Sequence, residues 1–234
     1  MQLYIGEIQD KTAVLLEEES RHFSKVTRGK IGQTILVTDG KGKIGQGKVT
    51  EIHNKYTVVE IEEWLENQEK RNFHLHVAIA PTKNMDRLEF FLEKATEMGI
   101  DEITLLKTFH SERKNIKWER CEKIIHAACK QSLKANFPIL HDLTPFHEFI
   151  QKEQQATALI AHCHPDFERV HFKEIEQKNT DYLILIGPEG DFSKEEIEMA
   201  TEKGFKGISL GNQRLRTETA ALNAVFAVNW LNQS

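Results

Sequence analysis

The sequence predicts an α/β chain in two parts, a small β-barrel over residues 1–70 and a doubly wound, mostly parallel α/β domain over residues 71–234. Three observations carry this. Near the start, short runs rich in Val, Ile and Thr follow one another with no helix between them, as in a small barrel or sandwich. A polar stretch, ENQEKRN from Glu66 to Asn72, reads as a linker. Beyond it, apolar strands alternate with amphipathic helices, which implies a parallel sheet covered on both faces.

The β part rests on TILVTD, GKVTEI and YTVVEIEEW, separated by the turn-forming GKGKIGQ and HNK. In the second part FHLHVAIA reads as a buried strand. NMDRLEFFLEKATEMG then sets Leu88, Phe91, Leu92, Ala95 and Met98 on one helical face and stops at Gly99. EITLLK is the next strand and WERCEKIIHAACKQSL the next helix; TALIAHC, YLILIG and FKGISLG are further strands.

Composition narrows the function. A net charge of −5 over 234 residues argues against a generic polyanion binder, though not against a local basic face. Cys121, Cys129 and Cys163 are odd in number and form no C-x-x-C, which reads as free thiols in a reducing compartment. The first twenty residues place acidic groups where a signal peptide needs an apolar core. No apolar run is long enough to span a bilayer. A cytoplasmic protein with no membrane partner is expected.

Two familiar motifs fail on context. GKGKIG (Gly40 to Gly45) satisfies G-x-G-x-x-G, and GKIGQGKV (Gly42 to Val49) is nearly a P-loop. Both need a helix N-terminus to hold pyrophosphate, and QGKVTEI continues as strand, so a glycine-rich hairpin is expected. AHCHPD places His162 and His164 around Cys163, but no second cluster completes a zinc set, so no metal is expected there. His162 instead ends a parallel strand, where α/β folds bind ligands.

The stretch from Ile186 to Ala220 holds two glycine-bearing turns of one plan. LILIGPEG ends a strand at Gly187, Pro188, Glu189 and Gly190, and SKEE then gives Ser193 as N-cap with Glu196 completing a capping box. ISLGNQRLRTETAAL ends the next strand at Gly211, and a long apolar helix begins near Thr217. Loops at the carboxyl ends of neighbouring parallel strands form one crevice, with Arg216 and Glu218 expected at its mouth.

IGPEGDFSKEE and LGNQRLRTETAAL resemble the cofactor-binding loops of the RsmE family of the SPOUT superfamily. ESRHFSKVTRGKIGQTILVTDGKG resembles that family's N-terminal domain; PTKNMDRLEFFLEKATEMGIDEI, SER and AACKQS resemble the start of its catalytic domain. The likeness covers nearly the whole chain. It implies a PUA-like barrel, a SPOUT domain with a trefoil knot, a homodimer, and methyl transfer from S-adenosylmethionine to N3 of a uridine in 16S ribosomal RNA of the small subunit. It also implies a cofactor site of His162, Ile186, Gly187, Pro188, Glu189, Gly190, Leu210, Gly211, Leu215, Arg216, Thr217, Thr219 and Ala220. One departure is visible: where the family usually carries an arginine, this chain has Gln213, with Arg214 following.

The implied reaction is an in-line displacement that needs alignment and no metal. Uridine N3 must lose a proton, so a base or strong anion stabilisation is required. A guanidinium cannot be the base but can hold an anion, which suits Arg216; Glu189, Glu218 and His162 are the candidate bases. RNA needs positive charge. Seven basic residues between Arg21 and Lys48, among them Lys25, Arg28 and Lys30, stand against Asp39 alone; eight between Lys107 and Lys134, among them Arg113, stand against Glu112, Glu119 and Glu122. Lys83 and Arg87, in the segment that resembles the catalytic domain's start, join them as expected RNA contacts. Methylation of another RNA acceptor, a ribose 2′-hydroxyl or transfer RNA, is the alternative; a non-catalytic RNA-binding protein is the alternative of a different class.

Overall fold

The computed structural model describes residues 2–65, 71–113, 115–152, 156–175 and 177–233. The chain divides into two compact units, Met1–Lys70 with His126–Phe137, and Arg71–Ile125 with Pro138–Ser234. Most of the polar linker lies outside the described residues.

The first unit is a closed barrel. Its strands are β1 (Leu3–Gln9), β2 (Thr12–Leu15), β3 (Thr34–Thr38), β4 (Ile44–Ile52) and β5 (Thr57–Trp64), in the order β1-β2-β5-β4-β3. Parallel pairing of β1 with β3 closes it, so no edge is left open. Alternate side chains point inward, and Tyr4, Leu15, Phe23, Ile35, Val37, Val49, Val59 and Ile61 fill the centre. Each such burial contributes about 1.5–3 kcal/mol. A short helix, α1 (Glu17–Arg21), and a π-helical turn at His22–Val26 lie between β2 and β3. The Gly40 to Gly45 stretch is the β3–β4 hairpin, where Asp39 Oδ1 accepts the amides of Lys41 and Lys43.

This unit also takes in His126–Phe137, which the sequence assigns to the second domain. The Phe137 amide donates to the Gly40 carbonyl, Gly42 donates to Ala135, and Lys130 pairs with Glu19 at 2.6 Å. The sequence also gives no sign of β1 and β2, whose residues read only as an acidic start.

The second unit is a seven-stranded parallel sheet. In chain order its elements are β6 (Leu75–Ile79), α2 (Met85–Met98), β7 (Glu102–Lys107), α3 (Trp118–Gln131), β8 (Ile139–Pro145), α4 (Phe146–Ile150), β9 (Thr157–Ala161), β10 (Val170–His171), β11 (Tyr182–Ile186), α5 (Lys194–Glu202), β12 (Lys206–Ser209) and α6 (Thr217–Asn232). The strand order is β10-β12-β9-β11-β6-β7-β8. From β6 the chain first adds β7 and β8 on one side; β11, β9 and β12 fill the other. The reversal falls at β6 and β11, and a crevice opens beyond the strands' carboxyl ends. β11 is buried throughout, as a central parallel strand should be.

α2 buries Leu88, Phe91, Leu92 and Ala95 as its periodicity predicts, while Met98 is only half buried. Asn84 caps its start by accepting the Asp86 amide at 3.0 Å. α6 packs on α2 and, among other residues, buries Ala221, Ala224, Val225 and Val228. On its other side Phe226 and Trp230 are exposed, with their rings stacked 6.0 Å apart.

Candidate functional site

The loop after β11 is built from the sequence GPEGDF. Pro188 ends the strand, and Asp191 adopts φ +64, a left-handed conformation that Asp tolerates. Its amide donates to the Pro188 carbonyl at 2.9 Å, closing the turn. Gly187 is required by close packing: a Cβ there would lie 3.1 Å from the Phe192 ring and 3.3 Å from the Asp191 carbonyl carbon. Phe192 is buried, so the turn is pressed onto the core.

Asp191 then ties three loops together. Its Oδ2 accepts the Cys163 amide, from the end of β9, at 2.7 Å; its Oδ1 accepts the Phe192 amide at 2.8 Å; its carbonyl lies 3.1 Å from His110 Nδ1, beyond β7. Glu196 makes a second tie. It completes the capping box with Ser193 and also accepts the Phe109 amide at 2.8 Å. Glu189 Oε1 accepts the Lys83 amide, after β6, at 3.1 Å. Arg113 donates to the carbonyls of Thr82 and Lys83. The loops following β6, β7, β9 and β11 are thus held as one rim by side chains that accept or donate to backbone.

The loop after β12 leaves the same end of the sheet, since β12 pairs in parallel with β9. Gly211 has φ +131, which an L side chain would strain, and its amide lies 3.4 Å from Ser209 Oγ. Leu210 and Leu215 are half buried, and Gln213 and Arg214 are exposed. Arg216 occupies the N-cap position of α6 with an extended backbone, and its side chain makes no cap bond. Among the described residues the exposed Arg216 guanidinium has no hydrogen-bond or ion-pair partner. Thr217 and Glu218 are buried in the first turn, Thr219 is exposed and Ala220 half buried. Glu218 therefore does not stand at the mouth with Arg216, as the sequence suggests. It turns inward, where its carboxylate lies 3.8 Å from Arg87 Nε and next to the positive end of α6.

His162 sits just past β9 rather than on it, 4 % exposed. Its Nδ1 is buried and finds no partner among the described residues. Burial holds its imidazole below the usual value, against the opposing pull of Asp191. Gly207 makes room for it, since a Cβ there would come within 2.8 Å of Nε2. Ile186, Gly187 and Pro188 are buried, and Glu189 and Gly190 exposed. Asp191, His110 and Glu196 are the rim residues missing from the expected site; Asp191 and Glu196 stand inside the quoted loop.

The expected RNA contacts divide into two kinds. Lys83 pairs with Glu112 at 2.8 Å, Arg87 faces Glu218, and Arg113 donates to the carbonyls of Thr82 and Lys83, so each of these three has a partner within the protein. In the second basic run Arg120 pairs with Glu89 and Lys130 with Glu19, and Lys114 lies outside the described residues. In the barrel unit Arg21 pairs with Glu17, whereas Lys25, Arg28 and Lys30 are exposed and their side chains have no partner among the described residues. All three cysteines are free thiols, Cys121 and Cys129 buried and Cys163 exposed. No described helix is long and apolar enough to cross a membrane.

Residues 68–229 match the model of an RNA methyltransferase domain, and residues 15–62 that of an RNA methyltransferase PUA domain. The chain is 29 % identical to a ribosomal RNA small subunit methyltransferase E of Rickettsia conorii, covering 93 % of this chain and 89 % of that one. Among solved structures it is similar to a probable rRNA-methyltransferase from Porphyromonas gingivalis, with 36 % identity, TM-score 0.88, and 99 % and 98 % of the two chains covered. It is also similar to a ribosomal RNA small subunit methyltransferase E from Neisseria gonorrhoeae bound to S-adenosyl methionine, with 26 % identity, TM-score 0.82, and 99 % and 98 % covered.

Proposed function

The chain belongs to the RNA methyltransferase family of ribosomal RNA small subunit methyltransferase E, and on that premise we propose that it methylates N3 of a uridine in 16S ribosomal RNA, with S-adenosylmethionine as donor. The observation that carries the reading is the convergence of the two glycine-bearing loops after β11 and β12 around the end of β9, where His162 keeps a buried, unpartnered Nδ1. Backbone groups of Gly187 to Gly190 and Leu210 to Gly211 would hold the cofactor, with Ile186, Leu215, Thr217, Thr219 and Ala220 around them. These residues fit such a ligand: a buried His162 Nδ1 with no partner among the described residues, and a glycine at φ +131 with open space where a Cβ would stand, are both accounted for by one.

When bound, S-adenosylmethionine supplies a sulfonium methyl group to a nucleophile aligned with it. The chain's part is position and charge. Arg216, unpartnered and exposed, holds the uridine as its N3 proton leaves, since a planar guanidinium binds a delocalised anion in two parallel hydrogen bonds. Glu189, whose Oε1 accepts the Lys83 amide and which is exposed in the β11 loop, is the base in this reading. Glu218 fixes Arg87 and the start of α6 rather than reaching the substrate.

The barrel unit docks the RNA through Lys25, Arg28 and Lys30. Two copies of the chain pair through the exposed Phe226 and Trp230 of α6, and a bacterial cytoplasm is the setting. The trefoil knot implied by the family likeness belongs to this reading too. Calorimetry tests the cofactor site: wild type binds S-adenosylmethionine and Gly187→Val does not, with the variant still folded. Wild-type affinity in that variant would remove the β11 loop from the site.

A further inference from the structure

At the opposite end of the same sheet, three neighbouring strands place histidines around one carboxylate. His74 and His76 come from β6 and the residue before it, Glu102 opens β7, and His141 lies on β8. His76 pairs in register with Glu102, and His141 with Thr104, two residues further along the same face. Glu102 Oε2 lies 2.6 Å from His141 Nε2 and 3.8 Å from His76 Nδ1; Glu102 Oε1 lies 3.2 Å from His74 Nε2. One donor atom each from His76, Glu102 and His141 all fall within 4.8 Å of one another. The ligands of a tetrahedral zinc at about 2.0–2.1 Å sit roughly 3.3 Å apart, so these spacings straddle that value.

We propose that His76, His141 and Glu102 form a zinc site at the amino ends of β6, β7 and β8, with the fourth position left to water.

Three features support it beyond proximity. His76 is oriented by Thr104, whose buried Oγ1 lies 2.8 Å from Nε2, so Nδ1 is the nitrogen turned to Glu102. Ligating histidines are held in this way through their second nitrogen. Phe149 lies edge-on to the His76 ring at 5.8 Å and closes the dry side, while His74 and His141 are nearly half exposed and leave an entry path. Two imidazoles and one carboxylate suit zinc better than calcium or magnesium, which take oxygen ligands.

The site is separate from the proposed methyl-transfer crevice, which lies at the carboxyl ends of the strands. A zinc ion there would clamp three strands together and raise stability without entering the reaction.

The test uses the full, untagged, metal-stripped chain. Competition against a chromophoric chelator reads zinc affinity, and cobalt(II) substitution reads geometry from the intensity of its visible bands. The expected result is one tightly held equivalent, intense tetrahedral cobalt bands, a zinc-dependent rise in Tm, and unchanged methyl transfer. Glu102→Gln and His141→Asn, both at partly exposed positions, should each weaken zinc tenfold or more. His141→Gln serves in the same role if His141→Asn fails to fold, and Glu102→Ala if Glu102→Gln does. Zinc affinity in these variants equal to wild type, or octahedral cobalt bands, would overturn the proposal.

Discussion

Asp191 Oδ2 accepts the backbone amide of Cys163 at 2.7 Å, joining the loop after β11 to the end of β9. The bond spans strands that are neighbours in the sheet but 28 residues apart in the chain. The same residue bonds the Phe192 amide and, through its carbonyl, His110. One residue in a left-handed conformation therefore fixes how three loops meet, through its carboxylate and its carbonyl, and the shape of the proposed cofactor crevice depends on it.

Asp191→Ala removes two carboxylate acceptors and places alanine at φ +64. Lost amide partners and the left-handed backbone together cost about 2–3 kcal/mol. The variant should unfold at a lower denaturant midpoint and bind S-adenosylmethionine about tenfold more weakly by calorimetry. Unchanged affinity with lowered stability would confine Asp191 to folding.

Much of this was legible in the sequence, for reasons that can be named. α2 was legible because its apolar residues recur on one face and end at Gly99, and β7 and β11 because they are short continuous apolar runs, β11 stopping at Gly187. The two crevice loops were legible because glycine, a capping box and an arginine before an apolar helix each have one mechanical meaning. β8 was not: it reads ILHDLTP, with polar residues and a terminal proline, and only its edge pairing with β7 makes it a strand. The His76, Glu102 and His141 cluster was hidden for the same reason, since its members lie on three strands and one of those was unseen. Asp191 stood in plain view within GPEGDF, but nothing local says that its partner is Cys163. The inward turn of Glu218 depends likewise on Arg87, distant in sequence.

Arg216→Lys should leave stability and most cofactor binding intact, because the wild-type side chain has no partner among the described residues. Single-turnover methylation at saturating RNA should fall by roughly a hundredfold, the scale of one well-placed transition-state donor. An unchanged rate would make Arg216 a structural residue and move the anion-holding role elsewhere on the rim.

His162 gives a pH dependence with a definite sign. Burial holds its folded-state value below the usual 6.5, so the unfolded chain takes up this proton first as pH falls. Its contribution is fully present above 6.5 and drains away as pH drops through the lowered folded value. Denaturant unfolding of His162→Asn should show a shallower loss of stability below pH 6.5 than wild type. Matching slopes in the two proteins would mean that His162 is protonated as easily folded as unfolded.

For the barrel, charge reversal is a cleaner test than truncation. A fragment starting near Phe73 would strand His126–Phe137, which belongs to the barrel unit. Lys25→Glu, Arg28→Glu and Lys30→Glu combined should weaken RNA binding and flatten its salt dependence by roughly one unit of slope per lost phosphate contact. Cofactor affinity should not change. A salt slope equal to wild type would show that this face does not meet RNA.

The central claim, methyl transfer to uridine N3 of small-subunit ribosomal RNA, is tested most directly by nucleoside mass spectrometry of 16S RNA from cells with and without the gene. A 3-methyluridine should be present in the parent, absent after deletion, and restored by the wild-type chain but not by Gly187→Val. The same 3-methyluridine content in parent and deletion strains would contradict it.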